Sequence, residues 1–145
     1  MIIEKTEFEG LKLHNRGKVR DIYDLGDSLL IISTDRISAF DYVLSNPIPD
    51  KGKVLNQLSE FWFHMTEGIV GSHVITTKVD EFPKELKKYL NILKGRSMIV
   101  RKAEMIGVEC VARGYLSGSA WKEYKKSGTL AGEKLAEGLK ESSKL

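Results

Sequence analysis

The sequence predicts an α+β fold, a largely antiparallel sheet with flanking helices in the coarse order β-β-α-β-α-β-β-α. Three observations carry that prediction. Residues 16–24 and 28–33 are extended runs separated by Leu25-Gly26-Asp27, which reads as a hairpin over 16–33. Val54, Leu55, Leu58, Phe61, Trp62 and Met65 recur at helical spacing, which predicts a helix over 53–67. Short β-rich runs follow at 73–79 and 97–102.

Residues 1–14 carry few signals, and Ile2-Ile3 and Phe8 to Leu13 read as a first strand or an arm. The first strand of the hairpin is crowded with charge, whereas Ser28-Leu29-Leu30-Ile31-Ile32-Ser33 is apolar and reads as buried. Gly17 allows the backbone to come close to a ligand and Lys18 places a point charge beside it. Two readings stand here: phosphate binding, or an edge strand that its charges protect from aggregation. Thr34 to Tyr42 follows the buried strand directly, a place where loops hold functional side chains on a rigid base. Pro47, Pro49, Asp50 and Gly52 mark a connection into the helix. The apolar stripe of that helix reads as core packing, with Asn56, Glu60 and His64 off the stripe and Gly68 as its stop. His64 and His73 have no companion ligands at metal spacing.

Pro83 suits the first turn of a short helix over 84–90. After the 97–102 strand, Ala103 to Gly107 turns the chain into Val108–Arg113, where Val108, Cys110 and Ala112 alternate with Glu109, Val111 and Arg113. The alternation predicts a strand with Cys110 buried, and with Glu109 and Arg113 on one face about 13 Å apart. Gly114, Ser117, Gly118 and Ser119 carry turn and helix-start chemistry. Residues 120–126 read as a helix that stops near Gly128, with Ser117 or Ser119 as its cap. A helix N-terminus beside Arg113 favours a phosphate or carboxylate; a plain cap and an ion-pair arginine are the alternative. Residues 132–145 are polar and glycine-interrupted, and read as a frayed terminus or a linker.

At 145 residues with 41% hydrophobic and 30% charged content, the chain fits a soluble domain able to bury a core. A net charge of +3, dispersed along the chain, falls short of a nucleic-acid footprint. The single cysteine fits a reducing, cytoplasmic setting. Neither a membrane-spanning run nor a signal peptide is expected, since the start is charged by residue 4.

Together, GKVRDIY (17–23), STDRISAFD (33–41), Lys51-Gly52 with LNQLS (55–59), GRSMIVRK (95–102) and VECVARGYLSGSAWKEY (108–124) resemble one family in collinear order. It is the phosphoribosylaminoimidazole-succinocarboxamide synthases, or SAICAR synthetases, of purine biosynthesis. The most specific block is Glu109, Arg113, Ser117, Gly118 and Ser119. The chain departs from the family at Gly107, where proline is usual, and at Ser117, where Thr or Ala is commoner. Members of the family are longer, and their second half carries an Asp-x-Lys-x-Glu-Phe-Gly block and an acid-rich block that are not present here. The resemblance is thus to the N-terminal portion.

That resemblance implies an ATP-dependent ligase joining L-aspartate to an aminoimidazole carboxylate ribotide through an acyl phosphate, with ATP and Mg2+. It implies a nucleotide-binding lobe over 1–104 and the start of a second, substrate and ATP domain over 105–145. Arg16, Gly17, Lys18, Val19, Arg20, Arg101, Lys102, Glu104 and Met105 are implied for ATP, and Asp35, Ser38, Asp41, Glu109, Arg113, Ser117, Gly118 and Ser119 for substrate. It gives no catalytic base and no metal ligand in this part. The implied partners are the small-molecule substrates, with no nucleic acid or membrane, and a homo-oligomer is left open. Two rivals remain at this point. One is another ATP-dependent carboxylate–amine ligase or a kinase-like nucleotide lobe, against which stands the single glycine of the hairpin. The other is a non-catalytic basic binding module using Lys84, Lys87, Lys88, Lys94, Arg96, Arg101 and Lys102.

Overall fold

A computed structural model describes residues 1–108 and 110–145. The chain divides into two compact units, Met1–Glu104 and Met105–Leu145.

The first unit is built on a five-stranded antiparallel sheet of β1 (Lys12–Arg16), β2 (Arg20–Asp24), β3 (Ser28–Ser33), β6 (Val74–Thr76) and β7 (Ser97–Arg101), in the order β1-β2-β3-β7-β6. The apolar run of β3 lies in the middle of the sheet, as its burial requires. Register then fixes the two faces. Tyr23 pairs with Leu30 and Leu30 with Ile99, so these side chains share one face with Ile32. Phe8, Phe82, Leu86 and Leu93 cover that face and complete the core. The tight turn into β2 is Gly17-Lys18-Val19, so the charged run expected as one strand over 16–24 is divided: Arg16 ends β1 and β2 begins at Arg20. Residues 84–93, expected as one short helix, form a 3-10 turn over Lys84–Tyr89 followed by α2 (Leu90–Leu93).

The opposite face of the sheet is covered by α1 (Lys51–Met65), which lies against β3 and β7. Its buried residues are Gly52 and Asn56, with Ser59 and Phe63 half-buried on the same side. A Cβ on Gly52 would overlap the Ser33 carbonyl and the Arg96 guanidinium, so glycine is required for this approach. Val54, Leu58, Phe61, Trp62 and Met65 are exposed. The apolar stripe therefore does not pack into this core; close backbone packing selects the small face of the helix instead.

The N-terminal arm is held by two buried carboxylates. Asp21 accepts from the Thr6 N–H and hydroxyl, and Asp35 accepts from the Ile3 N–H.

In the second unit, α3 (Ser119–Ser127) starts after Gly118 and ends at Gly128, whose left-handed backbone places its N–H 2.7 Å from the Tyr124 carbonyl. A small hairpin of β8 (Thr129–Leu130) and β9 (Glu133–Lys134) follows. The tail is tied down: Leu116 N–H donates to Ser143, Ser142 N–H to Leu116 and Leu145 N–H to Gly114. The expected strand over 108–113 does not form among the described residues. Alternating side chains supply no ladder partner, and without one an extended run gains nothing from pairing. Cys110 is exposed, contrary to the buried thiol expected of that strand.

Candidate functional site

In the first unit the site residues gather around the Gly17-Lys18-Val19 turn. Gly17 N–H donates to the Arg20 carbonyl at 2.8 Å, which closes the turn. The turn is braced by side chains from the loop after β3. Thr34 donates to the Val19 carbonyl through both its N–H and its hydroxyl. Arg36 donates to the carbonyls of Lys18 and Gly17 at 3.0 and 2.8 Å, to Asp21 at 2.9 Å, and to Glu4. The carbonyls of the turn are thus drawn inward. The Lys18 and Val19 N–H groups have no hydrogen-bond partner among the described residues. A turn with engaged carbonyls, free N–H groups and a lysine has the polarity that receives an anion.

Lys18 is half-exposed and ion-paired with Asp41. Asp41 occupies, with Phe40, the two-residue turn between β4 (Ser38–Ala39) and β5 (Tyr42–Val43), at φ values of 67° and 48°. Two successive non-glycine residues in the left-handed region are strained, and such strain concentrates at ligand-binding turns. Phe40 projects fully into solvent. The Lys18 ammonium, by its hydrogen bond, holds the Asp41 carboxyl below its ordinary pKa. The structure thus joins Lys18 and Asp41, which the sequence placed in different ligand sets, with Ser38 at the base of the same small hairpin.

Two other expected ligand residues are already engaged. Asp35 is fully buried: one oxygen accepts from Ile3 N–H at 2.8 Å, the other from Gly52 N–H and Arg96, each at 2.9 Å. Burial pushes its carboxyl pKa up, but Arg96 and the two N–H groups outweigh burial and hold it below the ordinary value. Asp35 serves as the N-terminal acceptor for α1, since Asp50 makes no side-chain cap. It shapes the loop and is closed to a substrate. Arg16 donates to Asp21 at 3.2 Å and to the Thr6 carbonyl at 2.6 Å, so its guanidinium is committed to the frame.

Arg20 is exposed and lines a cavity of about 330 Å³ with Leu55, Leu58 and Trp62. Lys51, at the start of α1, has its pKa lowered by burial and by the nearby Arg20 and Arg36 charges. Lys51 and Arg36 belong to the positive surroundings of this region, although sequence reasoning did not single them out. A lysine opening a helix and an arginine directly after a buried strand were the signals. Arg101 donates its N–H to the His73 carbonyl at 2.8 Å, and Lys102 reaches Asp24 at 2.7 Å. Glu104 and Met105 are exposed.

In the second unit Arg113 donates to the Ser119 hydroxyl at 2.9 Å and lies 3.5 Å from the Ser117 carbonyl. Neither serine caps α3; the cap position is Gly118, at φ 61° and ψ −129°, a conformation that demands glycine. Arg113 and Ser119 line a cavity of about 530 Å³ with Val111, Glu123 and Leu130. Glu123 is occupied with the turn after α3: the Gly132 and Ala131 N–H groups and the Thr129 hydroxyl hold its pKa down. A guanidinium and a hydroxyl at the open N-terminus of a nine-residue helix can hold a phosphate or carboxylate. Glu109, the remaining expected member, lies outside the described residues. Among the described residues no three His, Cys, Asp or Glu side chains cluster as a metal site, and no helix is long and apolar enough to cross a membrane.

Comparison with known proteins bears on both units. A family model described as SAICAR synthetase matches residues 13–145. The phosphoribosylaminoimidazole-succinocarboxamide synthase of Trichlorobacter lovleyi is 57% identical over 143 residues, covering 99% of this chain and 48% of that protein. That of Geobacter sulfurreducens is 57% identical over 144 residues, covering 99% and 49%. Among solved structures, a SAICAR synthase superposes with a TM-score of 0.91 at 46% identity over 98% of this chain and 51% of its own. A SAICAR synthase from Saccharomyces cerevisiae complexed with SAICAR gives 0.90 at 46% identity, over 98% and 50%. The chain spans about half the length of the curated relatives it matches.

Proposed function

This chain belongs to the SAICAR synthetase family, and from that premise we propose that it forms the nucleotide-binding lobe and part of the substrate domain of a cytoplasmic, ATP-dependent ligase. The ligase joins L-aspartate to 5-amino-1-(5-phosphoribosyl)imidazole-4-carboxylate. The observation that carries the reading is the 57% identity extending over 99% of the chain.

A carboxylate does not acylate an amine in water, because its oxygen is a poor leaving group. In the proposed reaction a carboxylate oxygen attacks the γ-phosphorus of ATP and ADP departs with the electrons of the broken P–O bond. The aspartate amine then attacks the acyl carbon, phosphate leaves with the C–O electrons, and the nitrogen loses a proton. Such transfers need positioning and charge neutralisation more than covalent help from the protein. The Lys18 turn supplies both: its free N–H groups and ammonium face the nucleotide phosphates, and Arg36 and Thr34 keep its carbonyls turned away. Gly17, Val19 and Arg20 complete that turn, and Arg101, Lys102, Glu104 and Met105 are assigned to the base and sugar of the nucleotide. Arg113 and Ser119, with Ser117 and Gly118 shaping the corner, hold an anionic group of the ribotide. Ser38 and Asp41 lie on the hairpin next to Lys18, and Glu109 is retained as a partner for substrate. Mg2+ would neutralise phosphate charge in the full enzyme, but the acids described here do not form a set that fits it, so no step is assigned to it.

The test uses the full-length enzyme carrying this sequence. Arg113→Ala should raise KM for the imidazole carboxylate about 10- to 100-fold, the worth of a charged hydrogen-bonding partner, with KM for ATP nearly unchanged. Lys18→Ala should do the reverse, impairing ATP use first. Equal effects of either variant on both substrates would contradict the assignment.

A further inference from the structure

The helix α1 has two faces of opposite character to those expected of a surface helix. Gly52, Asn56, Ser59 and Phe63 turn toward the sheet, whereas Val54, Leu58, Phe61, Trp62 and Met65 form a stripe at helical spacing turned away from it. Ile69 and Val70, just beyond the helix, prolong the stripe and are 84% and 64% exposed. From Val54 to Met65 the stripe runs about 17 Å along the helix, longer than the scattered apolar side chains of an ordinary surface. Beside it lies the cavity lined by Leu55, Leu58 and Trp62, with Arg20 at its rim. Among the described residues Arg20 forms no ion pair.

We propose that the outer face of α1 is the seat of the other half of the family polypeptide, docked through an apolar segment that presents a carboxylate to Arg20. One fact chooses this occupant over a second copy of the chain. Relatives 57% identical to these residues are about twice as long, so as much polypeptide again exists to be packed. The interface would close over Phe61 and Trp62 as its aromatic anchors. The proposal rests on family membership and not on the assigned ligand roles.

Hydroxyl-radical footprinting read by mass spectrometry tests it, comparing the 145-residue chain with the full-length enzyme carrying this sequence. Labelling of Phe61, Trp62 and Met65 should fall about fivefold or more in the full-length enzyme, as side chains 52–59% exposed become buried. Leu58→Glu and Phe61→Glu alter only exposed positions, so the shorter chain should keep its Tm with either. The same substitutions in the full-length enzyme should lower its Tm and restore labelling at Trp62. Equal labelling in the two lengths would overturn the proposal. Protection already present in the shorter chain, growing with its concentration alongside a dimer mass, would overturn it in favour of a second copy.

Discussion

Replacing Asp35 by asparagine separates a structural carboxylate from a substrate ligand. The side chain keeps its shape and loses its charge, while Arg96, 1% exposed, is left inside without its partner. Three donors converge on Asp35, from Ile3, Gly52 and Arg96, and an amide offers one oxygen and a donor nitrogen where two accepting oxygens stood. Asp50 lies 3.9 Å from the same guanidinium but is over half exposed, and so compensates weakly. Breaking one side of a buried pair costs about 3–5 kcal/mol, which for a domain of this size lowers Tm by roughly 10–20 °C. The assay is thermal and urea unfolding of Asp35→Asn beside Asp41→Asn, whose pair with Lys18 is exposed and should leave stability nearly unchanged. A Tm within about 2 °C of the parent would refute the structural reading and return Asp35 to the ligand set.

Acid should destabilise the chain through the same groups. Asp21 and Asp35 both have folded pKa values below their ordinary ones, because charged and N–H donors outweigh burial. Their stabilisation is therefore fully present above the unfolded carboxyl pKa of about 3.9 and is lost as pH falls through the lower folded values. Tm should be flat from neutral pH down to about pH 5 and fall below pH 4; a decline confined to the neutral range would contradict this origin. Gly52→Ala should destabilise by about 2–4 kcal/mol in urea unfolding, because its methyl would displace the Ser33 carbonyl and Arg96. Gly114→Ala, where nothing stands within 4 Å of a Cβ, should be close to neutral, and similar losses at both glycines would show that the close approach is not the cause.

The parts of the fold legible in the sequence were those set by neighbours along the chain. The Leu25-Gly26-Asp27 turn, the apolar β3 and the helix stopped at Gly128 each carry their signal within a few residues. The strand expected over 108–113 shows the opposite case: periodicity describes a face, not the partner that would pair with it. The stripe on α1 has the same origin, since apolar spacing announces a buried face without saying which surface buries it. At the candidate site, Lys18 and the Arg113–Ser119 corner were visible as local motifs. The brace on the turn was not, because Arg36 reaches carbonyls 16 to 32 residues away and Arg96 reaches back 61 residues to Asp35. No short window contains such bonds.

The segment from Thr34 to Asp41 shows why an acid within a family-like motif is not assigned by its sequence position alone. Its first three residues, Thr34, Asp35 and Arg36, point into the protein and fix the β1–β2 turn, the arm and the start of α1. Five and six residues beyond Asp35, Phe40 and Asp41 stand in solvent on a strained turn, and Asp41 meets Lys18. One end of the loop is thus held by buried charge, and its other end can exchange a carboxylate for a phosphate at Lys18 without disturbing the frame. Exposed ion pairs are weak, so under the proposed assignment a multiply charged phosphate would displace Asp41 at little cost. The rigid end makes that exchange useful, because Arg36 holds the backbone of Lys18 in place whichever anion its side chain meets.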